Sequence, residues 1–279
     1  MSIVNRARGA CAAVLCLLTA GCFLLPGKFA SDLTLQRDGT FAFNYKGDIH
    51  VLALTKMAQK EIGEEPAEFK ALPACTDNGD LDTECSDESA EDQRKTWQEN
   101  QAAAAAKKKS DAEMMQKMLG GIDPADPKAA EELAERMRKQ VGWRSVQYMG
   151  DGKFVVDFAL SGRLDHDFTF PSIEKMPALT PFVAIYRRAD GTVRIDAPAF
   201  SNAGTGGPFG GMAQGLVGKT PETEGIPELD GTFAIVTDGE ILANNTDDGP
   251  KATAAGKRLG WRLNSRTTTP PTALVKLSP

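Results

Sequence analysis

Histidine is almost missing from this sequence, with two in 279 residues, so a metal centre built on imidazoles is not expected. Basic residues are in deficit: 32 Lys and Arg stand against 38 Asp and Glu, a formal net charge of −6. A chain without cationic excess does not neutralise a run of phosphates, which excludes nucleic acid as a partner. The Gly-Xaa-Ser-Xaa-Gly elbow, the phosphate loop and the dinucleotide fingerprint are all missing. What remains is an ordinary composition, 41% hydrophobic, 25% charged and 7% aromatic. It fits one domain, or one domain with an insertion, and is too apolar for whole-chain disorder.

The amino terminus carries the clearest signal. Arg6 and Arg8 make a basic start, residues 10–18 form an apolar core, and Thr19-Ala20-Gly21 supplies small residues before Cys22. The apolar stretch is too short to cross a bilayer as a helix and reads as a secretion signal. Leu18-Thr19-Ala20-Gly21-Cys22 resembles the lipobox of bacterial lipoproteins, with Thr19 where leucine is commoner. That resemblance implies diacylglycerol on the Cys22 sulfur, cleavage before Cys22, and acylation of the new amine. Each buried methylene contributes ~0.8 kcal/mol, so two or three chains (palmitate-like) anchor firmly. Phe23 stands where inner-membrane retention would favour Asp, so the periplasmic face of the outer membrane is expected. Cleavage removes 21 residues and leaves 258; it takes two of the 32 basic residues and no acid, so the net charge moves from −6 to −8. An acidic body is repelled by anionic headgroups, which leaves docking to the lipid. Residues 22–32 are expected as a lipidated tether, at most roughly 35 Å long.

Cys11 and Cys16 leave with the signal and Cys22 is acylated, so Cys75 and Cys85 remain as an even pair in an oxidising compartment. A structural disulfide between them is expected, worth roughly 2.5–3 kcal/mol in the chain-entropy model. A redox or metal pair is the alternative.

Along the mature chain, Xaa-Asp-Gly recurs between strand-like runs at 37–39, 150–152, 189–191 and 237–239. Opposed residues share a face of a sheet, so the apolar pattern selects a loop length. Three-residue loops place Leu35 opposite Phe41, Leu33 opposite Phe43, Tyr148 opposite Phe154, Val146 opposite Val156, and Ile185 opposite Ile195. At the fourth site Ile235 suits Ile241 and Leu242 equally. The expected turn is type I followed by a left-handed glycine, which makes these aspartates turn formers. Further strands are expected at 258–263 and 272–277. The fold class is α+β: an antiparallel system of eight to ten strands built from Xaa-Asp-Gly hairpins, with an inserted two-helix segment at 89–141.

In that insertion, Ser89 and Asp92 mark a capped start, followed by a polar, alanine-rich helix to Leu119 whose apolar residues are Trp97, Met115, Met118 and Leu119. A second helix is expected with Asp126 as cap, Pro127 at its first position, and Gly142 as its end. Ala130, Leu133, Met137 and Val141 form its apolar stripe.

Two stretches read as mobile. Residues 76–87 are acidic and lack the calcium-loop pattern, so no metal is expected. Residues 201–218 hold seven glycines around Phe209, Met212, Leu216 and Val217, apolar side chains open to a lipid or a partner. A plain connector is the alternative. His166 lies between Asp165 and Asp167, and His50 between Ile49 and Val51. Neither has a catalytic signature; no catalytic residue and no cofactor are expected.

The closing residues Asp238-Gly239-Glu240-Ile241, Asn244-Asn245 and Leu259-Gly260-Trp261, with the strand around Ala273-Leu274-Val275, go with the early hairpin of Leu33, Leu35 and Phe41. Together with the lipidated cysteine they resemble the LppM-type domain of bacterial lipoproteins, over residues 33–55 and 143–277. The resemblance implies an α+β envelope domain, 33–279, that binds lipid or glycolipid. The first functional expectation is therefore a membrane-anchored, non-catalytic lipoprotein that holds an amphipathic envelope molecule. The second is an assembly factor that uses the 89–141 helices to bind another envelope protein. A third, a hydrolase of envelope glycan or lipid, would use His166.

Overall fold

The computed structural model describes residues 24–54, 68–73, 86, 88–176, 181–201 and 227–277. They form twelve strands and two α-helices arranged in two sheets.

The first hairpin pairs β1 (Leu24–Leu35) with β2 (Thr40–Val51). Leu35 lies opposite Phe41 and Leu33 opposite Phe43. From Phe29 onward the odd residues of β1 are buried, as are Phe41, Phe43 and Tyr45 of β2, so apolar alternation sets the register. The turn closes with Gln36 N–H donating to the Thr40 carbonyl at 2.8 Å, and Gly39 takes φ +85°. The stretch expected as a tether is mostly strand: β1 begins at Leu24, because its backbone pairs with β2 as far as Val51.

Beyond β2 come β3 (Trp143–Tyr148) and β4 (Lys153–Arg163), whose hairpin sets Tyr148 opposite Phe154 and Val146 opposite Val156. Its turn departs from type I: Gly150, Asp151 and Gly152 all have positive φ. On the other side of β1 lies β8 (Asp230–Thr237), then β11 (Gly256–Asn264) and β10 (Lys251–Thr253). Strand β8 runs parallel to β1, so this sheet is mixed and not purely antiparallel. The chain between them is long enough for a crossover, which a parallel pair requires.

The second sheet orders β5 (Phe168–Phe170), β6 (Val183–Arg187), β7 (Thr192–Asp196), β12 (Thr272–Lys276) and β9 (Glu240–Asn244). Ile185 lies opposite Ile195. The fourth Xaa-Asp-Gly is no hairpin. Strand β8 has both edges occupied, by β1 and β11, so the chain turns at Asp238-Gly239 and joins β12 in the other sheet. Gly239 is required there, since a Cβ would meet Val275 Cγ1 at 2.8 Å and the Lys276 carbonyl at 2.9 Å.

Rings from both sheets fill the space between them. Phe43 and Tyr45 of β2 meet Phe170 of β5 at centroid distances of 5.2 and 4.9 Å. Phe158 packs on Phe170 at 4.7 Å, and Phe29 stacks on Phe200 at 4.3 Å. The side chain of Asn245 joins the layers, accepting from Trp261 Nε1 at 3.1 Å and from Thr272 N–H at 2.9 Å.

Helix α1 (Ala90–Met118) starts at Ser89, whose hydroxyl accepts from the Asp92 amide at 3.1 Å. Helix α2 (Ala129–Arg138) buries Ala130, Leu133 and Met137. Asp126 does not sit at its N-cap. Its carboxylate accepts from Lys128 N–H at 2.8 Å, shaping the turn before the helix, whose N-cap is Lys128. Val141, expected on the buried stripe, is 84% exposed because the helix has already ended at Arg138.

Phe170 touches rings on β2, β3 and β4, so Phe170→Ala should cost about 3–5 kcal/mol in urea unfolding. Val141→Ala, at an exposed site, should stay within about 0.5 kcal/mol of wild type. Equal losses would contradict the ring-filled interior.

Candidate functional site

Where β1 begins, its pairing with β2 breaks register between Pro26 and Phe29. Pro26 has no amide to give a ladder, and Gly47 opposite lets the backbones close up: a methyl at Gly47 would overlap the Lys28 carbonyl and Phe29. This irregularity gathers polar groups on an otherwise apolar hairpin. The Tyr45 hydroxyl, fully buried, donates to the Asp48 carbonyl at 2.7 Å, and burial raises its pKa well above the ordinary value of 10.0. The Asp48 carboxylate pairs with Lys153 Nζ at 2.9 Å. That lysine belongs to β4, whose register sets it opposite His50.

His50 is half-buried beside Gly27, where a Cβ would come within 2.9 Å of its Nε2. Burial lowers its pKa below the ordinary 6.5; Asp48 and Asp151 oppose the shift and Lys153 adds to it. No local motif marks this group, because Lys153 reaches it only through the β2–β4 pairing.

A second candidate surface is α1. Gln93 clasps the backbone of Leu72, its Oε1 accepting from the Leu72 amide at 2.8 Å and its Nε2 donating to the Leu72 carbonyl at 3.1 Å. Phe69 of the same strap lies against Trp97 at 5.6 Å, with Arg94 above its ring. At the other end of the helix, Met115 and Leu119 enter the core. Residues 102–110 between these fastenings are exposed.

The aspartates at the tips of two hairpins are structural. Asp38 accepts from the Thr40 amide and hydroxyl, and Asp190 from the Thr192 hydroxyl and amide; these bonds hold both carboxyls below their usual range. Asp165 and Asp167 are engaged with Arg187, which pairs with the first at 3.7 Å and donates its amide to the second at 2.9 Å. His166 between them is exposed. Cys22, Cys75, Cys85, Phe209, Met212, Leu216 and Val217 all lie outside the described residues. Among the described residues, no cluster of three His, Cys, Asp or Glu is placed to hold a metal. No helix there is long and apolar enough to cross a membrane.

These features define an α+β domain of two facing sheets with a polar irregularity at one end and a long exposed helix. No protein-family model and no curated protein matches the chain. Among solved structures it is similar to the folded domain of the LppM protein of Mycobacterium tuberculosis, determined by NMR. Identity is 10% and the TM-score 0.31, over 93% of this chain and 92% of that one. A likeness this distant carries no argument about activity.

The sign of the His50 shift gives a pH dependence. An unfolded chain with an ordinary imidazole binds a proton near pH 6.5, before the folded chain does. Stability is therefore full above that pH and declines as pH falls towards the lower folded value. Urea unfolding between about pH 7.5 and 5.5 should show a shallower decline in His50→Gln than in wild type. Parallel profiles would refute the assignment.

Proposed function

We propose that this chain is a lipid-anchored protein of the bacterial envelope, facing the periplasm, that works by binding and not by catalysis. Helix α1 is the surface it offers to another envelope protein. The observation that carries the binding surface is the way α1 is held: fastened at both ends, with residues 102–110 exposed between. A helix whose middle is polar and solvated on all sides fits a bridging element. The alanine-rich stretch followed by Lys107, Lys108 and Lys109 gives a partner close backbone approach beside positive charge.

The anchor rests on the lipobox-like ending at Cys22, and Phe23 favours the outer membrane. The disulfide between Cys75 and Cys85 is supported by what flanks it: Ser86 N–H donates to the Pro73 carbonyl at 2.9 Å, so these two residues, one on either side of the pair in the chain, lie together. Binding of a lipid or glycolipid would rest on Phe209, Met212, Leu216 and Val217.

Intact-mass measurement of the membrane fraction should give a chain that starts at Cys22, carries acyl groups, and is lighter by two hydrogens than its reduced form. Cys22→Ser should lose the acyl mass and leave the membrane. Unchanged mass and retention in that variant would refute the anchor.

A photoreactive amino acid at Ala104 should crosslink in cells to one identifiable envelope protein, while the same group at Ala252 on the exposed edge strand β10 should not. Lipid adducts at Ala104 in place of protein would put α1 against the bilayer and refute it as the protein contact. An anchored protein with no protein adduct at Ala104 would refute the helix as the contact surface.

A further inference from the structure

The domain has two unlike ends. At one, three of the four Xaa-Asp-Gly turns meet. Arg37 donates its amide to the Asp238 carboxylate at 2.6 Å and its guanidinium to the Asp238 carbonyl at 2.7 Å. Arg163 reaches the Asp38 carbonyl at 3.0 Å, and Arg187 the Leu164 carbonyl at 2.7 Å. The turn at 189–191 is tied to the same end by Leu277 N–H on the Gly191 carbonyl at 3.0 Å. That end is dense in exposed charge of both signs.

The opposite end differs. Leu24 pairs with Val51, whose amide donates to the Gly152 carbonyl at 2.8 Å, so the start of β1, the end of β2 and the 149–152 turn lie at one level. Met149 is 54% exposed there and Leu52 half-buried. The carboxylate of Asp48 is matched by Lys153. Lys28, Asp151 and Asp230 are exposed at this end too; what distinguishes it is Met149 and Leu52 beside the matched Asp48–Lys153 pair. Cys22 stands two residues before Leu24, so an acyl group on it is within roughly 7 Å of this end.

We infer that the end of the seven-stranded sheet carrying Leu52, Met149 and the Asp48–Lys153 pair rests on the bilayer surface that receives the acyl chains. The inference rests on the anchor proposed at Cys22 and adds to it an orientation: the strands stand up from the membrane, with β1 as the post. Twelve residues of strand rise about 36 Å, so the Arg37, Asp38 and Asp238 clamp faces the periplasm at that distance. An acidic body is thereby held with its charge-dense end away from the headgroups.

The test uses the full mature protein, purified with its own lipid and reconstituted in phosphatidylethanolamine–phosphatidylglycerol vesicles. A benzophenone amino acid is placed at Met149, at Leu52, or at Asp38. Intact mass first reports whether the chain is acylated. Lipid adducts at Met149 or Leu52 should then exceed those at Asp38 roughly tenfold, because a group about 36 Å from the bilayer makes no contact with it. An acylated protein with equal adducts at both ends, or with none at Met149 and Leu52, overturns the orientation and leaves the anchor standing. An unacylated protein overturns the anchor and the orientation together.

Discussion

Strand β1 has two edges, and in a sheet interior both must find hydrogen-bond partners. One edge is met by β2, its neighbour in the chain; the other by β8, which arrives parallel after a long excursion. That second pairing shapes the rest. It closes the β8 edge to β9, because β11 takes the remaining side. The chain is then forced across at Asp238-Gly239 into the second sheet, and the two layers are covalently interleaved. Arg37, beside the first turn, clamps Asp238 and fixes the crossing point.

The two layers are held at their spacing by aromatic rings. The chain has few aromatics, yet Phe29, Phe43, Tyr45, Phe158, Phe170 and Phe200 sit in contact at the interface. Rings bury a large area for little rotamer entropy, and edge-to-face contacts add to it. Tyr45 enters this layer because its hydroxyl finds the Asp48 carbonyl at the β1–β2 irregularity. The packing of the interior and the polar group at the Leu24–Val51 end are thus one arrangement. Among the described residues, α1 is the longest element, and its middle is exposed.

The irregularity has a plain physical origin. A proline in β1 cannot serve the ladder, and Gly47 permits the backbones to approach, so the register slips there; Lys153 reaches Asp48 from the other side, through the unbroken β2–β4 pairing.

Alternation of apolar and polar residues is a local property, and local features were legible. The sequence placed Leu33 opposite Phe43 and Ile185 opposite Ile195, where these pairs lie, and capped α1 at Ser89. Gly39 has the positive φ its turn needs, whereas the 150–152 turn takes positive φ at all three residues. Features that depend on distant partners were not legible. The sequence could not say that β8 would be spoken for on both sides, that the tether would be drawn into a sheet, or that α2 would end before Val141. Nor could it bring Lys153 to Asp48. Side-chain periodicity is written within a few residues, while the occupancy of a strand's second edge is decided only when the whole chain has packed.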